Sequence, residues 1–195
     1  VATFMNSFND INGIPATGNK YIQRDLLKGA WNFQGFVVSD WGSIGEMIPH
    51  GFAKDNKDAA LKAIIAGSDM DMESRSYTNH LAELVKEGKV DIQLVDDAVR
   101  RILTKKYELG LFDDPYRFIN EKREKEQANN LEHRKFAREI GAKSIVLLKN
   151  ENQLLPLSPT TKKVAIIGPF AKATVENLGF WSIAFPDDSQ RIVTQ

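Results

Sequence analysis

The nine residues GFVVSDWGS, residues 35–43, decide the fold of this chain. Their apolar run is typical of a short buried strand, and Asp40 and Trp41 follow it directly. A carboxylate at the end of a buried strand costs free energy to desolvate unless hydrogen bonds or charges compensate it. Either the fold exposes Asp40 at an open end of the sheet, or a function requires it there.

Strand-like and helix-like patterns alternate on both sides of this stretch, which is typical of a parallel sheet covered by helices. The sequence predicts three β-α units, each joining a short apolar stretch to an amphipathic one: residues 3–8 with 20–30, 35–40 with 57–67, and 68–72 with 77–87. A further amphipathic helix is predicted over 91–108, ended by Gly110. It covers the sheet or closes a barrel.

The composition changes near Phe112, where a polar, highly charged stretch with a proline begins. Such a stretch is typical of an exposed linker. A helix over 132–144 and strand-like apolar pieces within 145–157 and 162–171 indicate a second α/β layer. The predicted domains are therefore a first domain at 1–111, a linker at 112–131 and the start of a second domain at 132–195.

The predicted fold class is α/β: the C-terminal part of a TIM-type (β/α)₈ barrel, then a linker, then the start of an α/β sandwich domain. A complete barrel of this type takes about 250 residues. Because only three β-α units precede the linker, we expect the 195 residues to be a fragment.

Composition excludes several classes of partner and cofactor. Lys plus Arg and Asp plus Glu both number 26, so there is no basic field for nucleic acid or for an anionic membrane. The chain has no cysteine, and no apolar run reaches the roughly 18 residues of a membrane span.

Pro169 after Gly168 breaks the dinucleotide-binding pattern, and no His, Asp or Glu spacing demands a metal. We predict no cofactor, no nucleic acid and no membrane partner.

Asp40 is the first candidate functional residue. In parallel α/β folds, the residues after the carboxyl ends of the strands face the ligand crevice. The alternative is that Asp40 only caps the following turn, as aspartate often does before glycine. The indole of Trp41 offers a flat apolar face that suits the C–H faces of sugars, although ordinary packing is its alternative role.

The same segment resembles the nucleophile segment of glycoside hydrolase family 3. The resemblance continues in the family's order through FMNSFNDINGIPATGNKYIQRDLLKGAWNFQGFVVSDW, AGSDMDM, VDDAVRRILTKKYELGLFDDPY, AREIGAKSIVLLKNENQLLPL and KKVAIIGP. It implies that Asp40 is the nucleophile of a retaining mechanism, in which a covalent glycosyl-enzyme forms and water then releases the sugar.

The resemblance also implies substrate-binding residues. It places Trp41 against the aglycone or the next sugar, and Met5 and Phe8 in the wall of the subsite for the cleaved glucosyl unit. Many relatives have tyrosine at Phe8, so a hydroxyl that would orient the nucleophile is absent here. In SDMDM, alternation sends aspartates and methionines to opposite faces, and we expect Met72 to line the aglycone side. Core packing is the alternative for each of these apolar side chains.

A retaining glycosidase also needs an acid/base carboxyl group, about 5 to 5.5 Å from the nucleophile. The local candidates are Glu46, Asp69, Asp71 and Glu73. The resemblance instead implies an acid/base from the second domain, downstream of residue 195. It also implies an interdomain loop near the active site that contains Trp181 and Ser182.

The function implied by the resemblance is a retaining, exo-acting β-glucosidase that is periplasmic or secreted. Its partners are an oligosaccharide or β-glucoside substrate and the remainder of the same protein. The alternatives are a β-xylosidase or another glycosidase of the family, or a catalytically inert carbohydrate-binding fragment.

Overall fold

A computed structural model describes residues 1–128 and 130–172. Main-chain contacts divide the chain into two units, Val1–Glu124 and Lys125–Gln195. Trp181 and Ser182, which the resemblance places near the active site, lie outside the described residues. No helix within the described ranges is long and apolar enough to cross a bilayer.

The first unit begins with a strand, a hairpin and a helix. Strand β1 (Thr3–Met5) precedes the hairpin strands β2 (Asp10–Ile11) and β3 (Ile14–Pro15), and a single 3₁₀ turn follows at Ala16–Gly18. The predicted helix over 20–30 is confirmed as a π-type helix, Tyr21–Ala30. Its wide turn shows in the N–H of Trp31, which donates to the carbonyl of Leu26, five residues earlier.

Strand β4 (Phe36–Val38) pairs in parallel with β1, with Phe4 opposite Val37. The strand predicted at 68–72 is reduced to one parallel bridge, between Val38 and Met70. The reason lies in Asp69, whose side chain accepts the N–H of Val37 at 2.8 Å. A carboxylate therefore occupies the position that a carbonyl of a regular strand would take.

Four helices follow β4 in this unit: α1 (Ser43–Glu46), α2 (Asn56–Ala66), α3 (Ser76–Lys86) and α4 (Ile92–Glu108). The helices predicted at 57–67, 77–87 and 91–108 are thereby confirmed. The side chain of Asp55 caps α2 by accepting the N–H of Asp58 at 2.8 Å, and Asp91 caps α4 in the same way through Gln93. Gly67, in the left-handed conformation, ends α2.

The core is built around α2. The alanines Ala59, Ala60 and Ala63 are fully buried, and small side chains let neighbouring helices approach the α2 backbone closely. One cluster packs this helix against α1 through Ile44 and Met47. A second cluster packs it against α3 and α4, and contains the buried residues Ala60, Ile64, Leu84, Val90 and Ala98.

The second unit contains α6 (Leu131–Ser144) and the end of α5 (Glu121–Gln127). Helix α5 lies within the predicted linker and spans the division between the units, and a 3₁₀ turn at Glu151–Gln153 follows α6. Within the described part of the chain, the strand-like pieces at 145–157 and 162–171 form no strand, and their large apolar side chains are exposed. Such a strand forms only where a neighbour supplies hydrogen bonds, and no described segment does so.

Gly35, the residue before β4, provides a test of the close approach of β4 to β1. A Cβ placed on Gly35 would clash with the carbonyl oxygen of Ala2, the residue before β1, so the backbones would have to separate. In the protein expressed from its whole reading frame, we expect Gly35→Ala to lower the free energy of unfolding by about 1 to 3 kcal/mol in urea denaturation. Gly141→Ala is the control, because a Cβ there meets nothing within 4 Å. Equal stability of the two variants would contradict the close approach.

Candidate active site

The carboxyl ends of three segments meet at one edge of the first unit. Asn6 follows β1, Ser39 follows β4, and Met70 belongs to the bridged third segment. The N–H of Asn6 donates to the carbonyl of Val38 at 3.0 Å, and the N–H of Ser39 donates to the carbonyl of Met70 at 2.9 Å. The residues that follow these three points therefore lie at the same edge, as expected for parallel strands.

Asp40 leaves β4 at this edge and stays partly exposed. Its Oδ1 accepts the N–H of Trp41 at 2.7 Å, and its carbonyl accepts the N–H of Ser43 at 3.1 Å. Gly42, with φ +72°, turns the chain into α1, a conformation that favours glycine. Asp40 thus binds the start of the turn through one carboxylate oxygen and through its carbonyl, and its side chain stays partly exposed.

The predicted apolar site residues surround this edge. Met5 is the last residue of β1 and is 56% exposed, and Trp41 is 53% exposed. Phe8, three residues beyond β1, is also exposed. Met72 is partly buried and fixed by its main chain: its N–H donates to the hydroxyl of Ser39 at 2.8 Å, and its carbonyl accepts the N–H of Gly42 at 2.8 Å. The structure joins Met72 to the Asp40 loop and leaves the other three at the surface.

A buried polar network lies beneath the edge. The side-chain amide of Asn6 donates to Gln23 Oε1 at 3.1 Å and to the hydroxyl of Ser68 at 2.8 Å. Its Oδ1 lies 3.1 Å from the hydroxyl of Thr17, which is 3.0 Å from that of Ser43. Each hydroxyl can donate one proton and can also accept, and the hydroxyl of Thr17 lies 3.1 Å from the carbonyl of Ser7 as well. The network links the residue after β1 to the start of α1 and to the third segment through side-chain hydrogen bonds.

A second buried polar feature lies under β4. Lys28 Nζ is 2.5 Å from Asp69 Oδ1, and both side chains are almost completely buried. Burial lowers the pKa of Lys28, an effect that the adjacent Asp69 opposes. Nearby, burial together with the charges of Asp71 and Asp69 raises the pKa of Tyr77, whose hydroxyl donates to the carbonyl of Ser68 at 2.7 Å.

The four local carboxylates considered for the acid/base role differ in access. Asp69 is buried in its ion pair and does not reach a ligand at the surface. Asp71 is partly buried, and its Oδ2 accepts the N–H of Tyr77 at 3.1 Å. Glu46 and Glu73 are exposed. In residues 1–128 and 130–172, no group of three His, Asp or Glu side chains is arranged to hold a metal ion.

No local sequence pattern predicted the polar network or the Lys28–Asp69 pair. The five polar residues of the network come from five separate segments, and nothing in their local pattern separates them from ordinary turn residues. The alternation in SDMDM did contain a signal, since it placed Asp69 on the face opposite Met70. Deciding which face is buried required the tertiary structure.

Family profiles match both parts of the chain. The Glycosyl hydrolase family 3 N terminal domain matches residues 1–105, and the Glycosyl hydrolase family 3 C-terminal domain matches residues 145–194. The periplasmic beta-glucosidase of Salmonella typhimurium is 42% identical over 183 residues, which are 92% of this chain and 24% of that protein. A beta-xylosidase of Formosa agariphila is 37% identical over 93% of this chain and 27% of its own length.

Solved structures agree with these matches. The beta-glucosidase from Listeria innocua in complex with glucose is 44% identical and superposes with a TM-score of 0.65, over 79% of this chain and 21% of that chain. A mutant of the same enzyme was solved in complex with laminaribiose. The chain spans about a quarter of the length of the curated relatives it matches.

Asn6 provides a test of the buried network. Asn6→Asp keeps the side-chain shape but replaces the amide donor with a carboxylate oxygen that faces Gln23 Oε1. We expect this substitution to lower the free energy of unfolding by about 1 to 3 kcal/mol at neutral pH. The matched control is Asn9→Asp, made at an exposed position three residues along the chain. A loss no larger than in this control would mean that the network adds nothing to stability.

Proposed function

Because the chain belongs to glycosyl hydrolase family 3, we propose that it is part of a retaining, exo-acting β-glucosidase that removes terminal β-D-glucosyl residues. The proposal rests on one observation above all: an accessible aspartate, Asp40, stands at the carboxyl edge of two parallel strands, with exposed apolar side chains near it. The similarity to a periplasmic β-glucosidase over 92% of the chain supports this substrate class.

In this proposal Asp40 is the nucleophile. Its carboxylate attacks the anomeric carbon as the bond to the leaving group breaks, and a covalent glycosyl-enzyme forms through an oxocarbenium-like transition state. Water then attacks the same carbon and releases the sugar with net retention of configuration. The hydrogen bond from the N–H of Trp41 fixes the direction of one carboxylate oxygen and leaves the other for the attack.

The acid/base must protonate the leaving oxygen in the first step and deprotonate water in the second. We assign this role to a carboxylate from the second domain, downstream of the local candidates. The burial of Asp69 in its ion pair supports this choice. So does Asp71, because its Oδ2 accepts the N–H of Tyr77 and its Oδ1 is buried away from the surface. Glu46 and Glu73 are the exposed alternatives.

The apolar residues at the edge then form the sugar subsites. Met5 and Phe8 contact the glucosyl unit that is cleaved, and Trp41 and Met72 contact the leaving sugar or aglycone. An exposed indole beside a carboxylate supports the second assignment, because aromatic faces pack well against the C–H faces of sugars.

A β-xylosidase is the second candidate function. The observation that favours it is the Formosa agariphila relative, which is 37% identical over 93% of this chain. The two sugars differ in the hydroxymethyl group at C5, which a xyloside lacks. The ratio of kcat/KM on 4-nitrophenyl β-D-glucoside and on 4-nitrophenyl β-D-xyloside separates the two functions.

The domain organisation belongs to the same proposal. Residues 1–111 form the C-terminal portion of a (β/α)₈ barrel, 112–131 a linker and 132–195 the start of an α/β sandwich domain. The parallel pairing of β1 with β4 and the two separate family matches support this arrangement. The reading frame on both sides of the chain tests this domain arrangement directly.

Periplasmic or secreted localisation is proposed from the Salmonella typhimurium relative.

The nucleophile assignment predicts a large loss of activity. In the protein expressed from its whole reading frame, Asp40→Asn or Asp40→Ala should lower kcat/KM on 4-nitrophenyl β-D-glucoside by about a thousandfold or more, because no covalent intermediate forms. Azide should restore turnover of the alanine variant and give an inverted glycosyl azide. A 2-deoxy-2-fluoroglucoside should label the peptide that contains VVSDWGS.

Asp25→Asn is the matched control, since it removes an exposed carboxylate of the π-type helix that is not a candidate for either catalytic role. We expect its activity to remain within about threefold of the wild type. Activity of the Asp40 variants within tenfold of the wild type would contradict the assignment, and so would labelling at another carboxylate.

The subsite assignment of Trp41 predicts a substrate-dependent effect. If the indole packs on the leaving sugar, Trp41→Ala should weaken kcat/KM on laminaribiose more than on 4-nitrophenyl β-D-glucoside, by about 1 to 2 kcal/mol. Phe8→Ala is the comparison, because it should affect both substrates equally through the shared glucosyl unit. Equal losses for Trp41→Ala on both substrates would instead indicate a role in holding the Asp40 loop.

A further inference from the structure

We propose that Lys28 and Asp69 are positioning residues: their buried ion pair fixes the register of the strand that carries Asp40. The inference rests on the proposed function, in which Asp40 is the nucleophile. Neither residue reaches the surface at the carboxyl edge, because the two side chains are only 5% and 2% exposed. They therefore act on the reaction through the main chain and do not contact the substrate.

Asp69 forms two hydrogen bonds with the main chain of Val37. Asp69 Oδ2 accepts the N–H of Val37 at 2.8 Å, and the N–H of Asp69 donates to the carbonyl of Val37 at 2.8 Å. The N–H of Met70 donates to that same carbonyl at 3.1 Å. Both polar groups of the Val37 backbone are therefore bound by one short segment, although that segment has only one bridge to β4.

Lys28 fixes the orientation of the Asp69 carboxylate. Its ammonium holds Asp69 Oδ1, so the carboxylate has one orientation, with Oδ2 directed at Val37. Two other cations of this unit do not replace it, because Arg24 donates to the carbonyls of Ile64 and Ile65. Arg101 likewise donates to those of Phe33 and Gly35. A buried carboxylate without its cation would be strongly unfavourable.

Further hydrogen bonds extend this register to the residues on either side of Asp40. Beyond Val37, the N–H of Ser39 donates to Met70, the N–H of Met72 donates to the Ser39 hydroxyl, and the N–H of Gly42 donates to Met72. Asp40 lies between two of these fixed points. A slip of one residue at Val37 would turn every following side chain to the opposite face, and smaller shifts would move the carboxylate away from the anomeric carbon.

A misplacement of about 1 Å at a reacting group can slow a reaction by about a hundredfold. We therefore expect Asp69→Asn, which sets an amide donor against the Lys28 ammonium, to slow covalent labelling of Asp40 by a 2-deoxy-2-fluoroglucosyl fluoride by about tenfold to a hundredfold. This reagent carries its own good leaving group, so the labelling rate reports the nucleophile alone. The inhibition constant for glucose should stay within about threefold, because the subsite walls are unchanged.

Lys28→Gln/Asp69→Asn tests the same idea by restoring the contacts in neutral form. The glutamine oxygen can accept from the asparagine amide, while the asparagine oxygen still accepts the N–H of Val37. We expect labelling by this double variant to return to within about tenfold of the wild type. If Asp69→Asn is not recovered folded, the double variant decides: a folded protein labelled more than a hundredfold slower than the wild type would contradict the register role.

Lys57→Gln/Glu87→Gln is the matched control, since it neutralises an ion pair of 2.7 Å that lies at the surface. It should label at the wild-type rate. Labelling of Asp69→Asn within threefold of the wild type would overturn the proposal, as would an equal loss of glucose binding and labelling, which indicates general collapse of the site. If the wild-type protein is not labelled at Asp40, the proposed function itself fails, whatever the variants do.

Discussion

The main chain of Val37 is the point on which the first unit depends. On one side β1 pairs with it through Phe4, and on the other side Asp69 and Met70 bind both its N–H and its carbonyl. A strand of three residues has few ladder hydrogen bonds of its own, so each of these bonds matters for its register. The orientation of the loop that follows, with Asp40 and Trp41, is set by these bonds.

The edge that carries the candidate site is built on polar contacts. Asn6, Gln23 and Ser68 are linked by side-chain hydrogen bonds, while the apolar clusters lie around α2. A buried polar network is costly when any member lacks a partner, but when closed it permits one arrangement only. Such a network holds the strand ends in fixed positions.

Ion pairs at the surface and in the interior of this unit have different effects on stability and geometry. Exposed pairs such as Lys57–Glu87 add little to stability, because solvent screens them. The Lys28–Asp69 pair is buried, so its desolvation cost is high and its geometry is strict. A mutation of one partner therefore affects the position of the main chain more than a mutation at the surface does. The two carboxylates illustrate these environments: Asp40, proposed as the nucleophile, is partly exposed, and Asp69, proposed as a positioning residue, is buried.

The sequence by itself determined the α/β class of the first unit, the three long helices after β4, the family and the position of Asp40 directly after a strand. These features depend on local periodicity, on caps such as Asp55 and Asp91, and on a contiguous motif, all of which are local along the chain. Only the tertiary structure decided that 68–72 contributes one bridge, and that Asp69 is buried against Lys28, 41 residues away. It also decided that the strand-like pieces after residue 144 form no strand within the described residues. The physical reason is that strand pairing and the burial of a charge depend on partners distant in sequence, which no local pattern specifies.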